Sequence, residues 1–139
     1  MAKLIQRLQD PGKSGVYRAT SIDAIADALR GSRIELARIP LAPKDGLLQN
    51  LARVLGFPGW FGGNWDALED CLTDLSWRPA QGYVLAFEGN GSIPQDDLGV
   101  LTDVLAAAAE FWAAGDKPFF AVFIDPRRQI GLPDLFQEA

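Results

Sequence analysis

The chain has 139 residues, 48% of them apolar, enough for one sizeable hydrophobic core and hardly for two. It contains no histidine and one cysteine, Cys71, which removes the commonest general base and metal ligand, most catalytic triads and zinc sites, any internal disulfide and any CxxC metal knuckle. The net charge of −5 is unevenly divided: residues 1–38 carry seven bases and four acids, a net of +3, whereas residues 39–139 sum to −8.

The opening MAKLIQRLQDPGK has no signal-peptide pattern, and no apolar run reaches membrane-spanning length, so the cytoplasm is the expected address. Val16 to Ala19 reads as a short strand and Ser21 to Leu29 as a helix capped by Ser21 or Thr20. Ile34 to Leu41 reads as a strand whose imperfect alternation is broken by Pro40 at its end. Lys44 to Leu55 places Leu47, Leu48, Leu51, Val54 and Leu55 at helical spacing and stops at Gly56.

Pro58 to Trp77, PGWFGGNWDALEDCLTDLSW, is the most informative stretch. Gly59, Gly62 and Gly63 make a loop able to take positive φ, and Asn64 is a good N-cap for the helix that follows. On that helix Leu68, Cys71, Leu72 and Leu75 share one face. Asp66, Asp70, Thr73 and Asp74 share the opposite face, with Glu69 beside them. The plain reading is a solvated helix face. Against it, Asp70 and Asp74 repel at i,i+4 spacing with no base on the helix, and Asp74 sits in the last turn, where the dipole favours a cation. Concentrated negative charge kept at a cost in local stability fits a positively charged ligand.

Gly82 to Phe87 and Phe119 to Ile124 are apolar runs of strand length, suited to interior parallel strands covered by helices. Gly89-Asn90-Gly91 is a turn signal. Between the runs, Gln95 to Ala114 reads as a helix with Leu101, Val104, Leu105, Ala108, Phe111 and Trp112 on one side and Gly115 as its stop. The strand–helix–strand order implies a right-handed crossover and an α/β fold. There is no P-loop, GxSxG or dinucleotide fingerprint, and the paired carboxylates lie on an exposed helix with no evident cleft, which leaves an acid-base hydrolase the least supported class. The acidic half lacks the clustered Lys and Arg that nucleic-acid backbones require, so a basic protein that itself binds nucleic acid is a more natural partner than nucleic acid.

The run Trp60-Phe61-Gly62-Gly63-Asn64-Trp65-Asp66-Ala67-Leu68, followed by Asp70-Cys71-Leu72-Thr73, resembles the signature of the barstar family, intracellular inhibitors of the ribonuclease barnase. The resemblance covers roughly Ile34 to Asp125. It implies a small parallel three-stranded sheet packed with helices in a single domain. An N-terminal β-α extension over residues 1–33 would add a strand or cover an edge, and residues 126–139 would form a C-terminal tail. It further implies a non-catalytic inhibitor or immunity protein that docks one-to-one on a small basic ribonuclease, with no cofactor, metal, membrane or direct nucleic acid. The alternative is a binding module of the same kind acting on a basic partner that is not a nuclease.

By the same resemblance Asp70 is the central acid that enters the ribonuclease's phosphate pocket, and Asp66 is a second acid. Trp60 and Phe61 are the loop aromatics, Asn64 and Thr73 interface polar groups, and Glu110 an acid on the long helix. Gly62 and Asp74 complete the expected partner-binding set, and Cys71 matches a buried cysteine. Ala114 stands where the family has a second acid on the long helix and Gly63 where it has a loop glutamate, and Trp65 and Glu69 replace a leucine and a tryptophan, which points to a partner other than barnase. Trp60 and Phe61 also suit a second reading, as core plugs of a glycine-rich loop. Trp65, Trp77 and Trp112 read as core residues.

Overall fold

The computed structural model describes residues 3–89 and 93–136. The chain runs α1 (Leu4–Leu8), a 3-10 turn (Pro11–Lys13), β1 (Gly15–Ala19), α2 (Asp23–Leu29), β2 (Ile34–Pro40), α3 (Lys44–Leu55), α4 (Trp65–Leu72), β3 (Gly82–Glu88), α5 (Gln95–Ala114) and β4 (Phe119–Ile124). All pairings are parallel, in the order β1-β4-β3-β2.

Period-two alternation on the central strands divides the core into two layers. Tyr83, Leu85, Phe87, Phe119, Ala121 and Phe123 point to the side covered by α3, α4 and α5. Val84, Phe120 and Val122 point to the other, where they meet Leu4 and Leu8 of α1, Ile25 and Leu29 of α2, and Leu135. Each fully buried phenylalanine on β4 contributes about 1.5–3 kcal/mol through removal from water. Right-handed crossovers account for the layering. The chain crosses the sheet in one direction from β1 to β2, which puts α2 on one face. It returns from β2 through β3 to β4, which puts α3, α4 and α5 on the other.

The sheet has four strands, not the expected three. The N-terminal unit supplies the fourth, pairing Gly15 with Phe120 through to Ala19 with Ile124, so that β4 becomes an interior strand. This is also why β4 is apolar on both sides. The outer edge of β1 is covered in turn by residues 133–135: Arg18 N–H donates to Pro133 O (2.9 Å) and Leu135 N–H to Arg18 O (2.8 Å). Leu135 is buried, so part of the expected tail belongs to the core.

Other boundaries follow the sequence closely. The α2 helix starts at Asp23 with Ile22, not the expected Ser21 or Thr20, at its N-cap position, although Ser21 Oγ accepts from Asp23 N–H (3.0 Å). Asn50 Nδ2 donates to Pro40 O at the end of β2. Gly56 ends α3 in the left-handed region (φ 64°). At the end of α5 it is Asp116 (φ 63°) that turns left-handed, not Gly115. Asn90 and Gly91 of the expected turn lie outside the described residues. The short α1 has no counterpart among the expected elements. Two leucines four residues apart make one apolar face, and such a helix depends on packing rather than on propensity.

Candidate functional site

The loop between α3 and α4 is built on stacked aromatics. Trp77 is fixed first, its Nε1 donating to Leu55 O at 3.0 Å. Phe57 packs edge-on against Trp77 (centroids 6.1 Å) and against Phe61 (4.9 Å), and Trp60 lies edge-on to Trp77 at 6.4 Å as the outermost ring. Phe61 is half-buried and packs against the core, whereas Trp60 is 57% exposed. The two expected loop aromatics therefore part company: Phe61 fits the core-plug reading and Trp60 does not. Of the three loop glycines only Gly63 takes positive φ (74°). At Gly62 a Cβ would meet only Asn64 Nδ2 at 3.6 Å, so nothing in the local geometry demands glycine there.

Asn64 caps α4 as expected, Oδ1 accepting from Ala67 N–H at 2.8 Å. The helix is shorter than its acidic face suggested. It ends at Leu72, and Asp74 lies beyond it, its Oδ1 accepting from Ser76 N–H. Thr73 Oγ1 donates to Glu69 O at 2.8 Å, which offers the backbone an alternative to further helix. Leu75 then turns left-handed (φ 50°) to bury its side chain, a conformation that costs a bulky residue roughly 1–2 kcal/mol. The repulsion between Asp70 and Asp74 thus spans the end of the helix and not an internal turn.

Asp66, Glu69, Asp70 and Asp74 are exposed, and none is in an ion pair among the described residues. One cation beside this helix is not revealed by the helix sequence: Lys44, from α3, sits over the Trp65 ring with Nζ 5.9 Å from its centroid. Glu110 is exposed on α5. α5 packs against α4, and Trp112 Nε1 donates to Leu72 O at 2.7 Å. Cys71 is fully buried beneath the acidic face, and burial first, then the charges of Asp70 and Asp74, push its thiol up to about 11.

Phe111 departs from the expected core stripe of α5 and is 51% exposed. The stripe is completed instead by Ala109, and Phe111 lies at its border with its ring edge-on to Trp112 at 5.2 Å. Trp65, Trp77 and Trp112 are partly buried against the core, as expected.

These features define a small parallel α/β protein that presents an unpaired acidic helix beside an aromatic loop. Residues 33–124 match the family model described as Barstar (barnase inhibitor), well over half of the chain, and the protein belongs to that family. It is a family of ribonuclease inhibitors, not of enzymes. No curated protein matches the chain. Among the described residues no helix is long and apolar enough to cross a membrane.

Proposed function

We propose that the protein is a non-catalytic inhibitor that binds one-to-one to a small basic ribonuclease and occupies its active site with the acidic helix and the loop beside it. The observation that carries this reading is the exposed group Asp66, Glu69, Asp70 and Asp74 without ion-pair partners among the described residues, flanked by the exposed Trp60. A ribonuclease holds Arg and Lys to bind substrate phosphate, and inhibitor carboxylates can occupy the same place. Asp70 is central, with Asp66 one turn before it; Asn64, Gly62, Thr73, Asp74 and Glu110 form the rim. Trp60 excludes water from the charge pairs, while Phe61 supports the loop from beneath. The proposed place of action is the cytoplasm, where an immunity protein protects the cell that makes the nuclease.

Opposite potentials steer encounter, so association should slow steeply with ionic strength while dissociation changes less. Barnase with barstar is itself the reference case for steering and strong charge-pair coupling, so family membership alone supports expecting these behaviours here. The test is capture of partners on the immobilised chain, followed by ribonuclease assay of each with and without added protein. The expected result is a basic ribonuclease silenced at equimolar inhibitor. Capture of basic proteins without nuclease activity alone would replace the inhibitor reading with that of a binding module.

A further inference from the structure

Lys3 and Arg7, four residues apart on and before α1, and Lys13 of the 3-10 turn converge on one open concavity of about 550 Å³, walled also by Leu135, Phe136 and Asp134. None of the three bases is in an ion pair among the described residues, and the buried Nε of Arg7 has no hydrogen-bond partner there. Three bases without carboxylate partners on one concavity make it a place that favours an anion. The acids nearby do not neutralise them. Asp134 accepts from Arg18 Nε (3.0 Å) and Arg128 Nη2 (2.9 Å), bonds that hold its carboxyl below the usual carboxylate range. Asp10 also lines the concavity, and its Oδ1 accepts from Gly12 N–H at 2.9 Å.

Two of the three basic residues are tied to one side chain, Tyr17. The Arg7 guanidinium lies over the Tyr17 ring, with Cζ 5.2 Å from the centroid. The Tyr17 hydroxyl donates to the Lys13 carbonyl at 2.5 Å, and its ring stacks on the buried Phe120 at 5.8 Å. Tyr17 thus ties the helix bearing Arg7 and the turn bearing Lys13 to the sheet, a rigid support of the kind binding sites require.

We propose that this concavity binds a phosphate-bearing small molecule, with the Arg7 fork and the Lys3 and Lys13 ammonium groups on the phosphate oxygens and the partly exposed Phe136 against its apolar body. Three converging cations match a doubly charged group with three free oxygens better than a single carboxylate. The volume lies within the roughly 300–1,000 Å³ of small-ligand pockets. The site lies with α1 on the face of the sheet opposite α4, so the proposal does not rest on the ribonuclease reading.

The test is isothermal titration of the full chain with sodium pyrophosphate and with adenosine monophosphate. Saturable one-to-one binding is expected, weakened at least about ten-fold by Arg7→Gln and by Lys13→Gln, as loss of a charge-assisted contact implies, and unchanged by Asp70→Ala. Lys13 is exposed, so its variant remains informative if Arg7→Gln fails to fold, which a thermal melt reports. The proposal is overturned by the absence of saturable binding with either probe, by undiminished affinity in both variants, or by citrate binding as tightly as pyrophosphate, the mark of undirected charge attraction.

Discussion

Trp112 on α5 closes the end of α4 by donating Nε1–H to the Leu72 carbonyl at 2.7 Å. The last carbonyls of a helix have no donor within it, so this bond satisfies one of them and fixes α4 against α5. Trp112→Phe keeps an aromatic ring but leaves that carbonyl unpaired in a partly buried place. The expected loss is about 1–3 kcal/mol in urea unfolding. A variant as stable as the parent would show that water replaces the indole without penalty.

Trp60 and Phe61 are neighbours with opposite expected behaviour. Trp60 is mostly exposed, so Trp60→Ala should leave stability within about 0.5 kcal/mol while weakening partner binding by more than about 1 kcal/mol. Phe61 contacts Phe57 and the core, so Phe61→Ala should cost about 2–4 kcal/mol in unfolding free energy. Paired denaturation and titration of the two variants separate the roles. Equal stability losses would assign Trp60 to the core as well.

The buried Cys71 thiol, raised from 9.0 to about 11, is favoured in its neutral form by the folded state. The unfolded chain therefore releases its proton first. Stability from this group is complete below pH 9 and is lost as pH rises towards 11. Tyr83, raised chiefly by burial, acts in the same direction. The pH dependence of urea midpoints over this window should flatten in Cys71→Ala, and thiol reagents at about pH 8 should modify Cys71 only at the rate of opening. Rapid modification of the folded protein would contradict its burial.

The central strands, α3 and the cap at Asn64 are legible in the sequence because each depends on local pattern: continuous apolar runs, leucines at helical spacing, and a side chain bonding three residues ahead. The fourth strand is legible as a short strand over Val16 to Ala19, but its place in the sheet is not, because its partner lies about a hundred residues away in β4. The acidic periodicity runs on to Asp74 and so overstates the length of α4, whereas the backbone is turned by Thr73 and Leu75. Lys44 over Trp65 joins two helices and has no signature in either one. Phe111 lies at the edge of a helical stripe, where spacing alone cannot tell a buried ring from an exposed one.

Asp70→Ala is expected to be the most damaging single substitution to partner binding, ahead of Asp66→Ala and Glu110→Ala. Asp70 is exposed without an ion-pair partner among the described residues, one turn from Asp66 and near Asp74, so it is the carboxylate most fully surrounded once a cationic site closes over it. Its removal leaves the partner's cations buried and unpaired, a penalty of about 2–5 kcal/mol or more. Folding stability should change little, because the side chain makes no hydrogen bond or ion pair among the described residues; only its backbone carbonyl serves Thr73 (3.4 Å). Calorimetry against a confirmed ribonuclease partner provides the measurement, with a urea titration of the same variant as its control. Unchanged affinity would remove the acidic plug as the means of inhibition while leaving the fold and family untouched.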